Sequence, residues 1–323
     1  MSAMGLVSAI NWLPDRLAMS TRGELALPKM YYTSGFVAVL AAFIRSQGLP
    51  SDKFRCHTEY NSGYMRAIGL SLAVWGNDDY EQRRINAGST YAPLTHLSSR
   101  DAVDTATGQI NGCLRKMATR MEYKDSPAFR ELLAVVGELH DNVWSHGLNS
   151  GFSTAQRRDC PENGWVLEFA LADCGMGFLN ELKRAKVAGV STDQEAIAWC
   201  IQKGNSSKLA KKEDDWAQSV PEDFYGSSPF GADVNTFVNS GNHHQGLGLA
   251  KLLALAERYD GILYLASGDA VLEFKGGVIH FHPLSHHWQG VAISLTLKES
   301  ALSVDSIEDD PDGLADFMSQ LRG

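Results

Sequence analysis

Glu138-Leu139-His140-Asp141-Asn142-Val143-Trp144-Ser145-His146-Gly147 is the stretch on which the fold turns. Residues four apart stack on one face of a helix, so Glu138, Asn142 and His146 form a polar stripe. Leu132, Val136, Leu139 and Val143 form an apolar stripe beside it. A helix with polar groups next to its core face is suited to lining a pocket. In isolation the same pattern also describes an ordinary amphipathic helix with its polar side in water. Ser126 supplies an N-cap, Pro127 a first-turn residue and Gly147 a stop, so the helix is expected from Pro127 to about His146.

Two further segments follow. Trp165 to Ala172 carries apolar residues along its length, Glu168 apart, as in a central strand, and runs into Asp173-Cys174-Gly175-Met176-Gly177. A carboxylate at a strand end can accept a hydrogen bond from an exocyclic amine. The two glycines let the backbone bend and approach a flat ligand. Taken alone, D-x-G-x-G is equally an ordinary strand-ending turn. Gln245-Gly246-Leu247-Gly248-Leu249 then closes a long polar stretch, 204–246, and opens a helix expected over 247–258. Glycines at a helix start expose backbone N–H groups to an anion, aided by the helix dipole, or else serve close packing. The Lys and Ser/Thr of a phosphate-binding P-loop are absent, and so is the strand-and-acid context of a dinucleotide fold.

In this order the three segments resemble the ATPase superfamily of gyrase, the ninety-kilodalton heat-shock chaperones, histidine kinases and MutL-type repair proteins. The E-x-x-x-N-x-x-x-H-G form of the first segment looks most like the anti-sigma-factor serine-kinase branch, with Cys174 and Met176 at variable positions. The resemblance implies a C-terminal two-layer α/β sandwich, the Bergerat ATP-binding fold, over 126–300. It implies ATP and Mg²⁺ as cofactors. Asp173 would read the adenine amine, Gly175 and Gly177 would shape the base pocket, and Asn142 would give an oxygen to Mg²⁺. Gly246, Leu247 and Gly248 would meet the phosphates, and Glu138 would be the catalytic general base. His146 matches the serine-kinase pattern, or is a hydrogen-bonded structural residue. Ser206, Ser207 and Lys208 fall in the segment expected to act as a lid.

Residues 1–100 read as a smaller α/β domain. It has strands near 24–30 and 53–58, an apolar helix over 34–47 and a second helix over 64–75. The run from Tyr31 to Ala42 resembles the sulfate-transporter and anti-sigma-antagonist (STAS) domain, implying a protein-partner module. By that resemblance Ser34 would be a phosphorylation target; as a residue at a helix start it is also a plain N-cap. A helical connector is expected over 101–125, and an acidic solvated tail over 301–323.

The formal charge of −9 argues against a general nucleic-acid binder, which needs surplus Lys and Arg for phosphates. Five scattered cysteines without a C-x-x-C pair fit a reducing compartment, and no apolar stretch approaches the ~20 residues of a membrane span. A cytoplasmic protein is expected, with a homodimer among its expected states. Three functions stay open: a regulatory serine/threonine kinase, an ATPase whose lid closure drives a conformational or dimerisation switch, and a nucleotide sensor without turnover. A histidine autokinase is disfavoured, because His140-Asp141 lies inside the nucleotide helix and lacks the proline of a phosphoacceptor motif.

Overall fold

The computed structural model describes residues 3–119, 126–147, 150–160, 164–202 and 248–304. Along the chain run β1 (Ala3–Met4), α1 (Leu6–Ala18), β2 (Leu25–Leu27), β3 (Tyr31–Tyr32), α2 (Ser34–Ser46) and β4 (Phe54–Cys56). Next come α3 (Glu59–Ile68), α4 (Leu70–Trp75), β5 (Tyr91–Leu97), α5 (Arg100–Thr119) and α6 (Pro127–Gly147). The remainder comprises β6 (Gly151–Cys160), β7 (Gly164–Asp173), α7 (Phe178–Arg184), α8 (Asp193–Cys200), α9 (Gly248–Arg258), β8 (Ile262–Lys275), β9 (Val278–Lys298) and α10 (Glu299–Val304). The fold is mixed α/β. Its centre is a five-stranded antiparallel sheet of order β5-β6-β7-β9-β8.

β7, third in that order, shows how the layers form. Successive side chains of a strand point to opposite faces. Leu167, Phe169 and Leu171 therefore enter one core with α5, α6 and α9. Ala170 and Ala172 enter the other, with α1, α2 and α4. The second face is paved with small residues, Ala170, Ala172, Ala266, Ala292 and Ser294, and α2 answers with Gly35, Ala38, Ala41 and Ala42. At Gly35 a Cβ would lie 2.8 Å from Ser294 Oγ, so only glycine allows this approach. Every residue of α2 from Ser34 to Ile44 is consequently buried.

The first hundred residues thus do not stand apart from the sheet. β5, expected within the N-terminal unit, is hydrogen-bonded to β6, and the N-terminal helices cover one whole sheet face. With α5, α6 and α9 on the opposite face, helices cover both faces of the sheet. The local N-terminal strands form two short parallel pairs, β1–β3 and β2–β4. The helix expected over 64–75 is two helices, because Gly69 adopts φ +85°, a left-handed conformation that closes α3 before α4 begins. Among the described residues no helix is long and apolar enough to cross a membrane.

The seam between α2 and the sheet holds one buried carboxylate. Glu168, pointing from β7 toward α2, accepts from Ser34 N (3.1 Å), Gln156 Nε2 (2.7 Å) and Arg158 Nε (2.5 Å). Gln156 in turn accepts from the Tyr64 hydroxyl on α3 (3.1 Å). A negative charge at the first turn of α2 also suits its dipole. Removing one member of a buried charged network leaves the others desolvated and unpaired. Glu168→Ala should therefore cost about 3–5 kcal/mol by chemical denaturation. A loss below about 1 kcal/mol would show that the network does not anchor α2.

Candidate functional site

The chemistry-bearing segments gather at the end of the sheet where β7 finishes. Alternation along β7 sends Asp173, like Leu171, to the α6 side and Cys174 to the α2 side, where its thiol donates to Ala42 O (3.3 Å). Asp173 is 6% exposed, and its Oδ1 accepts from Gly175 N (2.7 Å) and Val291 N (3.3 Å). Burial pushes this carboxyl up to about 6, against the opposing pull of the two backbone N–H groups.

Glycines make the surrounding wall. Gly177 adopts φ +75°, and a Cβ there would sit 2.9 Å from Gln289 O and 3.0 Å from Ser267 Oγ. Ser267 fixes the turn by accepting from Phe178 N (3.1 Å). Gly290, on β9, lies flat against the Asp173 carbonyl and carboxylate, and any side chain there would overlap both. Gln289-Gly290-Val291 was not singled out in the sequence. Its only signal was a glycine just before an alternating strand.

α6 reaches this sheet end and also α9. A Cβ on Gly151, the register partner of Asp173, would meet Val143 Cγ1 at 3.0 Å and Asp173 Cβ at 3.2 Å. The turn carrying Asn142 and Val143 therefore abuts the strand end carrying Asp173. Asn142 itself is half-buried. One turn earlier, Glu138 is 4% exposed and its Oε1 accepts from Gly248 N at 2.7 Å. A Cβ at Gly248 would come within 3.0 Å of Glu138 Cδ, so the helix start and the carboxylate need glycine to meet. The first and third segments are thus in direct contact, and the first abuts the second. Gly246, Leu247, Ser206, Ser207, Lys208 and the 204–246 stretch lie outside the described residues, as does the side chain of His146.

His140 has a different part. Its ring is fully buried, with Nδ1 2.8 Å from Thr107 Oγ1 and Nε2 2.8 Å from Ser153 Oγ. Because Ser153 donates to Ala170 O, the ring donates through Nε2 and accepts at Nδ1 from Thr107. Burial pulls this imidazole down to about 3, so it stays neutral and pins α6 to α5 and β6. An imidazole with both nitrogens engaged inside the core cannot act as a phosphoacceptor.

Ser34 also departs from expectation. Thr33 is the N-cap of α2, accepting from Phe36 N (3.4 Å). Ser34 follows it, 1% exposed, with its N–H on the Glu168 carboxylate and its hydroxyl making no hydrogen bond. A phosphate there would be buried against an existing negative charge, so Ser34 is not a phosphorylation site in this fold.

Among the described residues, the group with metal-ligand spacing is Asp193, Asp269 and His287, and Asn142 is not part of it. Its members satisfy one another: His287 Nδ1 is 2.8 Å from Asp269 Oδ1, and Asp269 N donates to Asp193 Oδ2 (3.1 Å).

Gly290→Ala should displace Asp173 and lower stability by at least about 2 kcal/mol, the cost of overpacking against fixed backbone. Thermal denaturation of the variant checks this, and an unchanged midpoint would mean that Gly290 and Asp173 are not in contact.

No protein-family model, curated protein or solved structure matches the chain, so functional inference rests on the geometry of Asp173, Glu138, Asn142 and Gly248.

Proposed function

We propose that the chain binds ATP with Mg²⁺ at this sheet end, in a Bergerat-type pocket, as a regulatory protein acting as a serine/threonine kinase. The observation that carries the proposal is the convergence just described. α6 touches both the strand end bearing Asp173 and, through Glu138, the glycine start of α9. Three stretches far apart in sequence thereby supply a carboxylate, an amide side chain and helix-start N–H groups to one region.

Each has a chemical task. Asp173, held by two backbone N–H groups, is a fixed acceptor for the adenine amine. Gly177 packs without a side chain against Gln289 and Ser267, and Gly290 against Asp173; a planar base at Asp173 would meet backbone beside it. Asn142 is a hard oxygen ligand of the kind Mg²⁺ takes alongside phosphate oxygens and water. The α9 N-terminus, with Gly248 first, offers dipole and N–H groups to phosphates, a geometry suited to that ligand class. Glu138 stands at the same point, where a base for the attacking hydroxyl is needed. ATPase and sensor functions would use the same pocket.

In the cell the nucleotide would pair with the N-terminal layer's protein partner. The seam at α2 leaves that helix no exposed face between Ser34 and Ile44, so a partner would meet α3, α4 or the outer face of α1.

ATP with Mg²⁺ should raise the thermal midpoint, with about 2.7 kcal/mol of stabilisation at a hundredfold excess over Kd. Asp173→Asn should weaken binding at least tenfold, because the amide presents a mismatched donor to the amine. The ionised carboxylate is the stronger acceptor for the amine. Protonation near pH 6 therefore opposes binding, and affinity should be full above that pH and fall below it. Titration calorimetry between pH 5 and 8 reads this out. Equal affinity in wild type and Asp173→Asn would remove the base-pocket assignment. Label from γ-labelled ATP appearing on protein supports the kinase, released phosphate the ATPase, and retained intact ATP the sensor.

A further inference from the structure

The first backbone N–H of α9 is bonded to the buried carboxylate of Glu138 at 2.7 Å. The contact is built for closeness: glycine at 248 lets Cγ, Cδ and Oε1 of Glu138 come up to the helix start, where any Cβ would meet them at 3.0–3.2 Å. An 11-residue helix presents unpaired N–H groups and the positive end of its dipole at this point. A carboxylate there satisfies one donor with a charge-assisted bond, as a bound phosphate oxygen would.

From this contact we propose that Glu138 determines which nucleotides the site accepts, by holding with its own carboxylate the Gly248 N–H that the proposed site gives to the phosphates. The inference rests on the proposed nucleotide site. A phosphate chain reaching Gly248 must displace Glu138 or accept a like charge a few ångströms away, and the triphosphate brings the longer chain and the larger negative charge. Glu138 thus discriminates against the triphosphate and positions α9 against α6. Once displaced from Gly248, the same carboxylate is free to accept a proton from the attacking hydroxyl. Glu138 is the only described side chain hydrogen-bonded to the Gly248 N–H.

The test measures Kd for Mg²⁺·ADP and for a non-hydrolysable Mg²⁺·ATP analogue, using the full chain and its Glu138→Gln variant. The glutamine keeps size and an acceptor oxygen for Gly248 N–H and removes only the charge. The ratio of ADP Kd to analogue Kd should rise about tenfold in the variant, through tighter binding of the analogue. An unchanged ratio, with both nucleotides bound by both proteins, overturns the proposal and leaves the nucleotide site standing. Failure of folded wild type to bind either nucleotide removes the site itself, and the proposal with it. Should the variant not fold, amide hydrogen exchange in unliganded wild type decides. Protection of Gly248 N–H is expected, and its exchange at the rate of an open chain overturns the proposal.

Discussion

Two-residue alternation along β7 fixes where everything else stands. With Leu167, Phe169 and Leu171 committed to the α6 core, Glu168, Ala170 and Ala172 must face α2, and Asp173 must return to the α6 side. A slip of one residue would exchange the two sets and bury bulky leucines against Gly35. The register is therefore specified twice, by volume on the small-residue face and by charge at Glu168. The charge is the stricter of the two, since its carboxylate has three donors on α2 and β6.

What was legible in the sequence follows from the same division. The helices α2, α5, α6 and α9 carry unmixed apolar stripes, and the strand before Asp173 has apolar residues on both faces with Glu168 as its one charge, so periodicity alone locates them. β6 escaped notice because Ser153, Thr154 and Gln156 resemble loop composition, yet all three are buried. Each has a partner: Ser153 meets His140, Thr154 donates to Ala92 O (2.7 Å), and Gln156 donates to Glu168. Polar residues can fill a central strand when their bonds are made across layers, and that pairing is not local in sequence. β5 was not legible as a strand for the related reason that its partner lies about sixty residues further along. The expected helix over 64–75 failed at one glycine, whose positive φ no periodicity reveals.

For the site, the resemblance carried by the three segments pointed to Asp173, Glu138, Asn142 and the glycines, and the fold brings the described ones to one end of the sheet. The wall at Ser267 and Gly290 was not legible, because a residue that acts by having no side chain leaves no chemical signature. Nor was the state of Glu138. Its spacing from Asn142 marks a polar stripe, but only three-dimensional packing shows its carboxylate already spent on a backbone donor.

The electrostatics of the site point the same way. Glu138 and Asp173 are both buried carboxyl groups, and among the described residues their hydrogen bonds come from backbone N–H groups: Gly248 for one, Gly175 and Val291 for the other. Dipoles compensate a buried charge only in part, as the upward displacement of Asp173 shows. Elsewhere in the fold buried acids are met by arginine, Glu168 by Arg158 and Glu299 by Arg157. Among the described residues, the sheet end thus keeps two acidic groups without a side-chain counterion. Under the proposed assignment, a further polyanion is admitted to this region only together with a divalent cation, whose charge offsets the phosphates and whose ligand is Asn142. Asn142 is neutral, and that matters: a third carboxylate at this position would hold the cation more tightly but would raise the negative charge that the phosphates must approach. An amide oxygen holds the cation and adds no repulsion.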